Sequence, residues 1–294
     1  MDIRTIAFIG TGVMGRSMAG HLLKKGYRVR AYNRTASKAA PLAEEGATVC
    51  AGIAEAVEGA DLVVSIVGFP EDVRQVYLGE GGILASMEKG AVAIDMTTST
   101  PELAREIHEK AREQGITACD APVTGGDVGA RKGSLTVLFG GDKEIFGRVS
   151  QALFSFSKNL VYVGPAGSGQ LAKAANQIAV AGTMFSVCES IAFAKGCGLD
   201  PGLVVHTLSG GAAGSFSMNS YGPRILKGDF APGFFLKHFV KDLKIALGVA
   251  EDAGLHLEVT ELALKLYAHL EKEGLGELGT QALYKYYTEF NRLN

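Results

Sequence analysis

Thr5-Ile6-Ala7-Phe8-Ile9-Gly10-Thr11-Gly12-Val13-Met14-Gly15 joins a short apolar run to a glycine-spaced turn, and Met18, Ala19, Leu22 and Leu23 follow at helical spacing. A GxGxxG pattern alone is often only a flexible loop; set between a strand and a helix, it predicts a dinucleotide-binding turn. Gly10 suits the tight turn, Gly12 lets backbone approach a pyrophosphate, and Gly15 lets helix and strand pack closely. The helix start offers amide donors and a partial positive charge. Gly10, Gly12, Val13, Met14 and Gly15 are therefore the first candidate cofactor contacts.

The second apolar run ends at Tyr32, and Asn33-Arg34-Thr35 follow it. An Asp or Glu there would accept a hydrogen bond from a ribose 2′-hydroxyl, whereas an arginine pairs with a 2′-phosphate and a threonine adds a hydroxyl donor. Asn33, Arg34 and Thr35 thus favour NADP, bound as NADPH, over NAD. NAD stays open if Arg34 is only a solvated loop residue.

Outward from the turn, apolar runs near 5–9, 28–32, 62–66, 91–95, 117–120, 134–139 and 161–163 alternate with helical stretches, the pattern of an α/β doubly wound sheet. The early strands are expected to be buried and parallel, with the later ones open to antiparallel pairing. Gly164-Pro165-Ala166-Gly167-Ser168-Gly169 reads as a joint, dividing the chain into a cofactor domain, 1–164, and an all-helical domain, 165–294. The stretch 170–195 predicts one long helix with Leu171, Ala174, Ile178, Ala181, Phe185, Cys188 and Ala192 on its apolar face. Further helices are expected over 201–208, 217–226, 235–253, 259–273 and 280–290, with Gly254 and Gly274 as terminators.

The 294 residues carry a net charge of -2 with both signs interspersed, which gives no basic stripe for nucleic acid or an anionic membrane. Small molecules are the expected partners. The four cysteines show no CxxC spacing, and the histidines form no HExxH or HxH pattern, so a metal-free reaction in a reducing compartment is expected. The opening residues lack a secretory layout, and no run approaches the ~18 uninterrupted apolar residues of a membrane span. A cytoplasmic protein is expected.

Four segments in order, Phe8-Ile9-Gly10-Thr11-Gly12-Val13-Met14-Gly15, Asp120-Ala121-Pro122-Val123-Thr124-Gly125-Gly126, Gly167-Ser168-Gly169-Gln170-Leu171-Ala172-Lys173-Ala174-Ala175-Asn176 and Lys241-Asp242-Leu243, resemble the β-hydroxyacid dehydrogenases. That family includes 3-hydroxyisobutyrate dehydrogenase, tartronate semialdehyde reductase and the glyoxylate/succinic semialdehyde reductases. The resemblance implies a Rossmann-like N-terminal domain, a long interdomain helix, an all-α C-terminal domain, an active site in the cleft between them, and a homodimer or homotetramer. Thr124 departs from the family's usual serine but keeps the hydroxyl, and Val67-Gly68-Phe69-Pro70 departs from its usual loop.

Hydride transfer to a carbonyl leaves negative charge on oxygen, so a proton donor is needed. A lone helical lysine is ordinarily a solvated charge; the resemblance is what makes Lys173 the acid/base, with Asn176 three residues on to orient it or the substrate. It also implies Lys241 and Asp242 beside the nicotinamide, Lys241 serving as a second cation or cofactor contact, Thr98 as a ligand contact, and Phe234 shaping the substrate pocket. From the residues alone, Lys241 also fits an exposed helix start and Phe234 ordinary core. Thr124, Gly125 and Gly126 allow a substrate carboxylate to lie against backbone N–H groups, though a plain tight turn explains the glycines too.

The expected activity is NADPH-dependent reduction of a small carboxylated aldehyde such as glyoxylate or succinic semialdehyde, and the reverse oxidation. The alternatives are an NAD-linked 3-hydroxyisobutyrate or tartronate semialdehyde enzyme and a catalytically silent cofactor-binding scaffold. Lys173 argues against the scaffold and against imine reductases, which typically replace it.

Overall fold

Ile6 and Phe8 project to one face of β1 (Thr5–Ile9) and Ala7 and Ile9 to the other, and all four are fully or almost fully buried. A strand buried on both faces belongs inside a sheet covered by helices on either side. A computed structural model describes residues 3–290 and shows that arrangement. Contacts divide the chain into two compact units, Met1–Lys173 and Ala174–Asn294.

In the first unit β1 pairs in parallel with β2 (Arg28–Tyr32) and β4 (Leu62–Ser65), with Thr5 opposite Arg28 and Ile6 opposite Leu62. Outward lie β3 (Thr48–Val49) beside β2, and β5 (Val92–Asp95) then β6 (Thr117–Asp120) beyond β4, all parallel. The order β3-β2-β1-β4-β5-β6 reverses direction between β1 and β4, the switch point where such sheets open a ligand crevice at the strands' carboxyl ends. β8 (Leu135–Gly140) runs antiparallel to β6 and to β7 (Val123–Thr124), while β9 (Ser157–Gly164) lies parallel to β8. Leu22, Val64, Ile94 and Phe139 belong to the core on one side of the sheet; Val63, Tyr77, Ala93 and Ile107 belong to the other.

The second unit is helical. The Ser168–Gly196 helix starts in the first unit and continues into it, long and apolar enough to match a membrane span by length and composition alone. Its Ala181, Met184, Phe185, Cys188 and Ile191 share a core with Leu236, Phe239 and Leu243 of the Leu236–Asp252 helix and with Leu266 and Tyr267. The buried face differs from the sequence expectation at its start. Leu171 is 42% exposed, whereas Gln170, Lys173 and Gln177 are buried on the i, i+3, i+7 line that continues into the apolar residues. One face is therefore polar for its first turns and apolar beyond.

The final segment also differs from expectation. The Glu258–Leu270 helix passes into a π turn holding Gly274 at φ +84°, and the stretch expected as one helix over 280–290 is a 3₁₀ turn, one short α turn and a π turn. Gly254, at φ +68°, follows the Leu236–Asp252 helix in the left-handed conformation that suits a terminator.

Candidate active site

The glycine turn is built by close approach. Gly10 sits at φ +96°, and a Cβ there would stand 2.1 Å from the Ile66 carbonyl oxygen; a Cβ on Gly15 would stand 1.9 Å from the Gly10 carbonyl oxygen. A Cβ on Gly12 meets nothing within 4 Å. Two glycines are thus required by the protein itself, while the space over the third is open, as a backbone cradle for a pyrophosphate needs. No side chain caps the Gly15–Lys24 helix and no acidic residue lies in its first turn, so Val13, Met14 and Gly15 present their amides at an uncompensated helix start. The turn fits a dinucleotide.

Asn33 braces this turn: its Oδ1 accepts from Thr11 N at 2.9 Å, and its Nδ2 donates to the Thr35 carbonyl at 3.0 Å. Arg34 extends into solvent, its side chain 85% exposed, and its guanidinium pairs with Asp72 at 3.0 Å. Asp72 also accepts from Phe69 N at 3.2 Å, anchoring the Val67–Gly68–Phe69–Pro70 loop at the start of the Pro70–Leu78 helix. Thr35 precedes the short 3₁₀ turn Ala36–Lys38.

Beyond β4 and β5 lies a buried polar chain that the sequence did not advertise. Asp95 Oδ1 accepts from Ser65 Oγ at 2.9 Å and Thr97 Oγ1 at 2.7 Å, Thr97 Oγ1 accepts from Val67 N at 2.9 Å, and Ser65 Oγ lies 3.0 Å from Tyr77 Oη. Burial raises the Asp95 carboxyl to about 6, against the opposing hydrogen bonds of Thr97 and Ser65. The chain sets the loop after β4, and Thr98 follows directly from it. On the next loops, Thr124 ends β7, Gly125 (φ +124°) and Gly126 (φ +63°) start the Gly126–Lys132 helix, and a Cβ at Gly126 meets nothing within 4 Å. The backbone at Gly126 is thus left uncovered by other protein atoms, with Asp127 next to it in the first turn of the helix.

Lys173 is 7% exposed and rises from a helix start held by an internal anion. Asp120, at the end of β6, accepts from Gly167 N at 2.7 Å and from Gln170 N at 2.8 Å. Burial raises its carboxyl to about 6, opposed by those amides. Gln170 completes the anchorage: its Oε1 accepts from Ser99 N at 2.9 Å and its Nε2 donates to the Thr97 carbonyl at 2.8 Å. The packing leaves no room for a side chain, since a Cβ on Gly140 would stand 2.5 Å from Gly169 N. Lys173 projects one turn after Gln170.

In the second unit, Asn176 Nδ2 donates to Gln177 Oε1 at 2.7 Å, and Gln177 Nε2 donates to Asp242 Oδ2 at 2.7 Å. Asp242 Oδ1 lies 2.9 Å from Lys241 Nζ, an ion contact without hydrogen-bond alignment, with Asp242 wholly buried and Lys241 nearly so. Lys241 therefore has its counter-ion beside it rather than standing as an isolated second cation. Burial, with Lys241 and Lys237 nearby, lowers the imidazole of His238 to about 4 and keeps it neutral at ordinary pH. The Phe234 ring meets Phe239 edge to face at 5.8 Å and packs against the helical core. Sequence reading missed Gln170 and Gln177, because polar residues on a helix ordinarily face water.

An open glycine turn at the switch point of a parallel sheet, followed by a helical unit, is the architecture of a pyridine-nucleotide oxidoreductase, and comparison with known proteins narrows it. Residues 5–164 match the family described as the NAD binding domain of 6-phosphogluconate dehydrogenase. Residues 167–287 match the family described as NAD-binding of NADP-dependent 3-hydroxyisobutyrate dehydrogenase. The chain is 48% identical over 279 residues to the Arabidopsis thaliana probable 3-hydroxyisobutyrate dehydrogenase-like 1, mitochondrial, covering 95% of this chain and 83% of that one. It is 34% identical over 292 residues to the 3-hydroxyisobutyrate dehydrogenase of Pseudomonas aeruginosa, covering 95% and 98%. The structure of Mycobacterium tuberculosis 3-hydroxyisobutyrate dehydrogenase with L-serine superposes with a TM-score of 0.86 at 28% identity, covering 97% and 98%. The protein is a pyridine-nucleotide-dependent hydroxyacid dehydrogenase acting on CH–OH groups. It belongs to the β-hydroxyacid dehydrogenase family, that of 3-hydroxyisobutyrate dehydrogenase.

Proposed function

We propose that the chain reduces a small carboxylated aldehyde, glyoxylate or succinic semialdehyde foremost, with NADPH, and runs the reverse oxidation, Lys173 serving as the acid/base. The observation that carries this reading is the burial of Lys173 on a polar helix face anchored by Asp120 and Gln170, which sets its ammonium in water-poor surroundings where a fixed donor acts strongly on a developing alkoxide. When bound, the nicotinamide supplies or accepts the hydride. Lys173 gives a proton to the carbonyl oxygen in reduction and takes it back in oxidation, and Asn176, one turn later, orients it. Thr124, Gly125 and Gly126 hold the carboxylate. Asp242 and Phe234 line the substrate's surroundings, and Thr98 and Lys241 contact the cofactor. Gly10, Gly12, Val13, Met14 and Gly15 seat the pyrophosphate, with Asn33, Arg34 and Thr35 at the adenosine 2′-phosphate.

The pairing of Arg34 with Asp72 favours a second reading, an NAD-linked enzyme for 3-hydroxyisobutyrate or tartronate semialdehyde, since the guanidinium already has an anion. Phe193, Leu199 and Leu203, each more than half exposed on the helical unit, support a homodimer or homotetramer, and the composition supports a cytoplasmic setting.

The test is nicotinamide absorbance with two- to five-carbon aldehyde acids and hydroxy acids, each with both cofactors. NADPH-linked turnover that Lys173→Ala lowers roughly 100- to 10,000-fold, with cofactor affinity retained, is the expected result. Turnover unchanged by Lys173→Ala removes the mechanism, and preference for NADH removes the cofactor assignment.

A further inference from the structure

Asp242 is a buried carboxylate whose Oδ1 faces the Lys241 ammonium and whose Oδ2 faces Gln177. An ionised carboxylate only accepts, so the Gln177 group turned toward it must be the NH₂. The two ends of a side-chain amide point to opposite sides, which turns Gln177 Oε1 toward Asn176. That oxygen also only accepts, so Asn176 must offer its own NH₂, as the 2.7 Å contact records. The negative charge at Asp242 therefore dictates the orientation of two successive amides.

We propose that Gln177 is a positioning residue that transmits the polarity of Asp242 to Asn176, so that Asn176 presents its carbonyl oxygen, not its NH₂, on the side away from the relay. This rests on the reading that Lys173 and Asn176 serve the reaction. With its NH₂ engaged by Gln177, Asn176 offers an acceptor for an ammonium such as that of Lys173, or for the hydroxyl of an alcohol substrate. A flipped Asn176 would set donor against donor and lose that contact. Gln177 is 2% exposed and Asp242 1%, so water does not substitute for either partner without rearrangement, and the orientation is held by the protein alone. Because Gln177 acts through Asn176, its loss is expected in turnover rather than in cofactor affinity.

Two variants test this in the full-length protein. Gln177→Leu keeps the size and removes both hydrogen bonds. Gln177→Glu keeps an acceptor toward Asn176 and sets a second acid against Asp242, so the relay closes only while the two acids share a proton. The first readout is the side-chain NH₂ pair of Asn176 in the cofactor-free protein, followed by NMR with asparagine-selective ¹⁵N labelling and assigned by its loss in Asn176→Ala. It is expected to shift in Gln177→Leu, and in Gln177→Glu to return toward the wild-type position as pH falls. The second readout is kinetic: Gln177→Leu should lower kcat by roughly 10- to 100-fold with cofactor Kd unchanged. Gln177→Glu should recover rate toward low pH relative to the wild type measured in the same direction of reaction. An Asn176 resonance unmoved in Gln177→Leu overturns the inference, and so does a moved resonance with unchanged kcat. If the wild-type protein turns over no aldehyde or hydroxy acid, the functional reading fails instead, and the resonance alone decides the relay.

Discussion

Arg34 donates to Asp72 across 38 residues of sequence, and the same carboxylate holds the loop after β4. A basic residue after β2 therefore comes with an anion that competes for it. Arg34→Ala should weaken NADPH binding by roughly 10- to 100-fold and leave NADH nearly unchanged, since a charge-assisted hydrogen bond is worth about 1.5–3 kcal/mol. Asp72→Asn should tighten NADPH relative to NADH. Fluorescence titration of both cofactors at one ionic strength measures this, and equal losses for the two cofactors would remove Arg34 from 2′-phosphate recognition.

Gly12 and Gly15 should separate binding from folding. Gly15→Ala forces a methyl into the Gly10 carbonyl, so its melting temperature should fall, by several degrees if the strain costs about 1–3 kcal/mol. Gly12→Ala meets no protein atom and should melt close to wild type while binding cofactor at least roughly 10-fold more weakly, the equivalent of about 1.4 kcal/mol. Thermal melts of the cofactor-free variants, paired with titrations, check both halves.

Asp95 makes a signed contribution to pH dependence. Its carboxyl titrates near 6 in the fold against 3.8 as its ordinary value, so between these pH values the folded protein keeps a proton that the unfolded chain has released. Its contribution to stability is thus fullest below pH 3.8, falls as pH rises toward 6, and is level above, a change of up to ~3 kcal/mol. Asp95→Asn should abolish that slope while keeping an acceptor for Ser65 and Thr97. Urea midpoints of both proteins from pH 4 to about pH 7 give the difference, and parallel curves would refute the assignment.

Asp120→Asn should be destabilising at neutral pH although it removes a buried charge. One of the two accepting oxygens becomes an NH₂ aimed at the amide of Gly167 or Gln170, a mismatch worth about 1–3 kcal/mol. Turnover should fall with it, because the helix start that carries Lys173 loses its anchor. Chemical denaturation and steady-state rates on the same samples check this, and a variant as stable as wild type would show that the backbone holds the helix unaided.

How much was legible in the sequence follows from the range of the interactions. The glycine turn, most strands of the first unit and the long helix are local patterns, and they read correctly because period and spacing carry them. Two-residue strands such as Thr48–Val49 and Val123–Thr124 have no period to read. The segment 280–290 looked helical, but its crowded aromatics, Tyr286 against Tyr287 and His269, sit in tighter and wider turns. Leu171 was expected on the buried face and Gln177 drew no expectation, yet the fold exposes the first and buries the second, because the partners that decide it lie far away in sequence: Asp242 is 65 residues from Gln177, and Asp120 is 50 from Gln170.

Two of the helix starts in the first unit meet opposite fortunes. The one at Ser168 houses a permanent tenant, the Asp120 carboxylate, seated on the very amides an incoming anion would seek. The one at Gly15 is kept vacant of side chains and acids. Of these two similar electrostatic invitations issued by the backbone, only the one at Gly15 reaches the outside, so an anionic guest choosing between them has that address alone.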